Sequence, residues 1–164
     1  MNKQYLAKVP VALALLAATT SMAWGEEALW GQLRTPPNIE GVWRVTRHGV
    51  NCATGGEIST FPALMTFHAD GTLSGGAVPP GSTNAFGPPE QGLWRRKEHG
   101  PDFTFRLLSF SYDDSGVFTG STQVTGTGEL TGADTFSYKA TVAFFDASGN
   151  PLFSGCGAAT GLRF

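Results

Sequence analysis

Only two of the 164 residues are cysteine and only three are histidine, and no apolar run is long enough to span a membrane. The cysteines lie in GVNCATGG and FSGCGAATG, with no further ligand close by, so a thiolate zinc site is excluded. His48, His68 and His99 stand apart, each near a strand end or turn, and no metal set forms. Basic residues number 11 against 13 acidic ones and make no cluster, which argues against nucleic acid or an anionic membrane surface as partner. The glycine-rich stretch GGAVPPGSTNAFGPPE has no P-loop lysine, and no nucleophile elbow or spaced triad is present. Asp113 and Asp114 fall in a turn, where a solvated role is the usual one. No catalytic residue, cofactor or metal is therefore assigned.

The first 25 residues follow the three-part pattern of a secretory signal. Lys3 and Lys8 precede an apolar run from Val9 to Ala18, and small residues follow at Ala23 and Gly25. The expectation is export with cleavage between Gly25 and Glu26, to a periplasmic or secreted location with no membrane span in the mature chain. Removing 25 residues from 164 leaves 139, a single domain by length. Residues 26–40, with the prolines of LRTPPNIE, read as an N-terminal linker, and 41–164 as the domain. In an oxidising compartment the cysteine pair is expected to form a Cys52–Cys156 disulfide.

Helical periodicity is also missing. Short runs of alternating apolar and β-branched residues, punctuated by Gly, Asp, Asn and Pro, predict eight strands. They cover about 42–48, 63–68, 72–75, 92–97, 103–112, 117–125, 135–145 and 152–164. HADGTL, DDSG and DASGN are tight-turn signals, and the long Gly75–Gln91 stretch reads as a flap. Short sequential connections predict an all-β antiparallel meander closed into an eight-stranded barrel, which leaves no exposed edge. A two-sheet sandwich would use the same strand count.

GVWRV at the first strand and ATGLRF at the last resemble the lipocalin-like barrels of the calycin superfamily, of a short, divergent, bacterial type. The matching positions are Gly41, Trp43 and Arg163. The resemblance implies that Trp43 closes the barrel floor and that Arg163 packs across the indole. The Thr-Asp-Tyr turn of the kernel lipocalins is absent, the matching region reading TGADTFSY, and their C-terminal helix has no counterpart. The cysteines test the closure. Antiparallel neighbours share a constant index sum, and Trp43 with Arg163 gives 206 while Cys52 with Cys156 gives 208.

Side chains two apart share a face, so an inward Trp43 implies inward Val45 and Arg47. Met65, Phe67, Leu73, Phe103, Phe105, Leu107, Phe136, Tyr138, Val142 and Phe144 are expected to face inward by the same parity. An eight-stranded barrel is wide enough to be filled by its side chains or to hold one small ligand. The expected pocket is lined by Val45, Met65, Phe67, Phe105 and Phe144, with Arg47 as its polar contact near the mouth, facing an acidic ligand head or a wall carboxylate. The functional expectation is a small-molecule-binding barrel of the cell envelope for an apolar or amphipathic ligand. The alternatives are a cofactor-free barrel enzyme of isomerase or cyclase type, and a structural or protein-interaction module without a ligand.

Overall fold

A computed structural model describes residues 38–77, 88–98, 100 and 102–164. The predicted signal segment, most of the predicted linker and the central part of the flap lie outside the described residues. Those described form β1 (Gly41–Val50), β2 (Glu57–Phe67), β3 (Thr72–Ala77), β4 (Pro89–Arg96), β5 (Asp102–Tyr112), β6 (Phe118–Leu130), β7 (Thr135–Asp146) and β8 (Pro151–Arg163), with no helix among them. Every strand pairs antiparallel with its sequence neighbours, and β1 pairs with β8. The predicted meander barrel is the fold, and the sandwich is excluded.

Closure has the register the sequence pointed to. Trp43 pairs directly with Arg163, and the same index sum of 206 runs unbroken to Val50 opposite Cys156. Cys52, two residues past the end of β1, is bonded to Cys156 across a sequence separation of 104.

Three hairpins turn on the same local chemistry. Asp70, Asp113 and Asp146 each accept hydrogen bonds from backbone N–H groups two or four residues on, and Gly71, Gly116 and Gly149 follow at φ between 81° and 85°. A side-chain acceptor offsets the unpaired turn donors, and glycine takes the left-handed angle without strain.

Several strands run further than predicted, and β3 and β4 take both ends of the expected flap, through Ala77 and from Pro89. β2 continues back from Ala63 through Pro62 to Glu57 because β1 pairs along its whole length, whereas β2–β3 pairing ends at Ala63 opposite Ala77. Pro62 therefore lies where β2 has one neighbouring strand among the described residues, a position that tolerates the missing N–H. β6 continues past Thr125 through Gly126 and Gly128, which read as breakers. Their partners are Phe105 and Phe103, whose rings occupy the space a Cβ would need. Gly161 makes the same room for Phe136.

The lower half of the lumen is filled by rings. Trp43, Met65, Phe67, Leu73, Phe103, Phe105 and Phe136 are all fully buried. Phe67 sits at the centre, edge-on to Trp94, Phe103 and Phe136 at 5.4 to 5.9 Å, the arrangement that aromatic quadrupoles favour. This plug is the core of the domain.

Candidate functional site

The floor explains why the first strand opens Gly-x-Trp. Gly41 has φ 121°, and a Cβ there would come within 3.0 Å of the Arg163 guanidinium. Arg163 lies 4.2 Å over the Trp43 ring centroid and donates to the carbonyls of Glu40 and Asn38 at 2.8 and 2.6 Å. Its Nε reaches Asp134 in the β6–β7 turn. The Trp43 indole N–H donates to the Ile39 carbonyl at 2.7 Å. One arginine thus ties the strand entrance, the last strand and a hairpin turn over a closed end. Gly41, Trp43 and Arg163 make a structural cap with no room for a ligand.

Above the ring plug lies a polar layer. Arg47 on β1 donates from both terminal nitrogens to the two carboxylate oxygens of Glu90 on β4, each at 2.6 Å. These strands are three apart in an eight-stranded barrel, so the pair crosses the lumen. Both residues are 8% exposed. Gly75, paired with Glu90, gives the carboxylate its space, since a Cβ there would sit 3.0 Å from Glu90 Oε2. Tyr138 reaches the same layer from β7 and interacts with both charges. Burial works against the Arg47 charge, but the bonds and charge of Glu90 outweigh it, and the guanidinium stays protonated. Burial also pushes the Tyr138 hydroxyl above its ordinary range, Glu90 adding to the rise and Arg47 opposing it. Arg47 Nε is buried with no hydrogen-bond partner.

The lumen changes character at this layer. Below it the inward positions carry rings. Above it, Ser59, Ser109, Thr122, Val142, Gly155 and Gly157 face inward, and each is only half-buried. A Cβ added to Gly155 would meet nothing within 4 Å, in contrast to Gly126, Gly128 and Gly161 in the plug. Phe61 and Phe144 supply apolar wall, and Phe144 stacks on Phe153 at 4.2 Å beside the opening. The upper half is a cup with small side chains, a polar base and an aromatic rim.

The sequence-predicted lining divides between these zones. Met65, Phe67 and Phe105 are fully buried in the plug, and Val45, 3% exposed, packs with them. Phe144 belongs to the cup. Arg47 separates the two, and its partner is a wall carboxylate. Glu90 was missed because GPPEQ reads as loop, although stepping back by twos from Trp94 through Gly92 places Glu90 on the same inward face. Trp94, buried with its indole N–H donating to the His68 carbonyl at 2.8 Å, was also missed.

The two described histidines, His48 and His68, stand outside the lumen. His48 bonds Glu57 and Thr60 on the outer face, and exposed His68 bonds Ser74. His99 lies outside the described residues. No group of three or more metal-ligating side chains occurs among the described residues. On the outer face of β5 and β6, Phe110, Tyr112 and Phe118 form an exposed aromatic cluster unconnected to the cup.

No protein-family model matches the chain, and no curated protein matches it.

Proposed function

We propose that the protein is an exported barrel that binds one small apolar or amphipathic molecule in the upper half of its lumen, and that it is a divergent member of the calycin group. The single observation that carries this reading is the change from a ring-filled floor to a half-buried wall of small side chains, with Gly155 facing open space. A barrel that only needed stability would continue its plug to the top, because filled interiors gain dispersion and lose water-exposed apolar surface. The buried ion pair supports the same reading. Removing two charges from water costs as much as their attraction returns, so the pair contributes little to stability, and a role in recognition accounts for it. The disulfide is consistent with an oxidising compartment, as export requires.

Native mass spectrometry of protein purified from its own envelope tests the reading. The expected result is a retained small molecule that is lost in Gly155→Trp protein of unchanged secondary structure. Retention by that variant would exclude the cup as its site.

One observation favours a second reading, a cofactor-free isomerase or cyclase. The Tyr138 hydroxyl, held protonated by burial beside Arg47, is a potential proton donor at the polar base of the cup. Chemical conversion of the recovered ligand by wild-type protein, abolished in Tyr138→Phe protein that still binds, would establish this reading. Recovery of the ligand unchanged would exclude it.

A further inference from the structure

We infer that the cup selects ligands whose polar end is an uncharged hydrogen-bond acceptor, a ketone, ester or amide carbonyl, and rejects carboxylates and other anions. This rests on the binding reading above and reverses the acidic ligand head that an inward arginine alone suggests.

Three features of the polar layer carry it. First, the Arg47 charge is already matched. Both terminal nitrogens are bound to Glu90, one to each oxygen, and the pair is neutral as a unit. An anion entering the cup would meet the Glu90 carboxylate at the same depth, and two like charges in a water-poor space oppose one another strongly. Second, a donor is left over. Arg47 Nε is buried and unpaired, and an unmet buried donor is costly until an acceptor reaches it. A neutral carbonyl satisfies that donor without adding charge. Third, Tyr138, 6% exposed, stands two strands from Arg47 on β7 with its hydroxyl hydrogen-bonded to the guanidinium, and an oxygen that accepts from Arg47 keeps its own proton to donate. Two donors and a balanced charge suit a carbonyl. The walls above the layer, with Phe61, Val142 and Phe144, suit an apolar remainder.

The test uses three probes of equal chain length, 2-decanone, decanoate and decane, titrated against the whole mature protein by displacement of an uncharged fluorescent probe. The ketone should bind wild-type protein at least about tenfold more tightly than either of the others. Glu90→Gln leaves the Arg47 charge uncompensated and should reverse the order, decanoate now binding most tightly and raising the melting temperature of that variant. If Glu90→Gln fails to fold, the Arg47→Met/Glu90→Leu double variant takes its place. It removes both charges and the guanidinium donor but keeps the Tyr138 hydroxyl, so its preference for ketone over alkane should fall severalfold below that of wild-type protein.

Decanoate binding to wild-type protein as tightly as the ketone would overturn the inference while leaving the binding reading intact. A ketone preference in the double variant as large as that of wild-type protein would also overturn the inference alone. Failure of all three probes and of the fluorescent probe to bind wild-type protein would overturn both.

Discussion

The Arg47 guanidinium and the Glu90 carboxylate meet across the lumen in a two-pronged ion pair, 2.6 Å at each prong, in a layer where both residues are 8% exposed. Such pairs are asymmetric in energy. Deleting one partner strands a buried charge, whereas replacing both with apolar side chains removes the desolvation cost together with the attraction. Glu90→Ala should therefore cost about 3–5 kcal/mol, and Arg47→Met/Glu90→Leu should be neutral or stabilising. Urea unfolding of the two variants checks this. A double variant as unstable as the single one would mean that the pair holds the fold together.

The floor responds differently because its arginine binds backbone carbonyls. Arg163→Ala removes a cation–π contact at 4.2 Å, the two short carbonyl bonds to Glu40 and Asn38 and the longer bonds to Ala133 and Asp134, and should lower stability by about 2–3 kcal/mol without changing the far-UV spectrum. Arg163→Lys should recover little of this, since one ammonium cannot lie flat on the indole and reach both carbonyls. Thermal melts of the two variants decide it.

The Cys52–Cys156 bond closes a loop of 104 residues, and in the chain-entropy model a loop of that length contributes roughly 4–5 kcal/mol. Replacing both cysteines by serine should lower the unfolding free energy by about that amount. Thiol labelling of unreduced, unfolded wild-type protein should find no free cysteine. Two labelled thiols would remove the bond.

The fold was legible where the sequence carried paired signals at its two ends. Trp43 with Arg163 and Cys52 with Cys156 come from opposite ends of the chain, and their nearly equal index sums fix both closure and register. Alternation identified the inward face of the plug's rings apart from Trp94. Strand ends were less legible, because Gly126, Gly128 and Pro62 behave as breakers by local propensity while ring packing and β1 pairing keep them in strands. The site was half legible. Parity placed Arg47 and Tyr138 inside, but Glu90 follows two prolines, and nothing local reveals that a strand has already begun. Which inward residues line the cup also escaped the pattern, since hydrophobicity marks a face and says nothing of height along the barrel. The large residues Met65 and Phe67 looked like pocket walls and are floor.

Acid should weaken the domain through its turns. Hydrogen bonds from Ser115, Asn150 and Thr72 hold the carboxyls of Asp113, Asp146 and Asp70 below the ordinary aspartate range, and Thr60 then His48 do the same for Glu57. A depressed folded value means that the unfolded chain binds protons first. The stabilisation is thus complete above the ordinary carboxylate range, about pH 4, and is lost as the pH falls through the lower folded values. Melting temperature should be flat from neutral pH to about 5 and decline below about 4, and Asp113→Asn should shrink that decline. A decline that begins near pH 6.5 would point to histidine instead.

Two glycines of β8 separate the plug from the cup with a single methyl group. At Gly161 a Cβ would run into the Phe136 ring, which is itself fully buried against Trp43, so neither neighbour can move aside. At Gly155, six residues away on the same inward face, a Cβ would meet nothing within 4 Å. Gly161→Ala should therefore cost about 1–3 kcal/mol by overpacking, whereas Gly155→Ala should change stability by less than about 0.5 kcal/mol. A larger side chain extends the contrast to binding. Gly155→Leu should keep its melting temperature near that of wild-type protein while losing affinity for an uncharged fluorescent probe by at least about tenfold, because the side chain fills the space the ligand needs. Strong destabilisation by Gly155→Leu would show that the upper lumen is already filled, and the cup would cease to exist as a site.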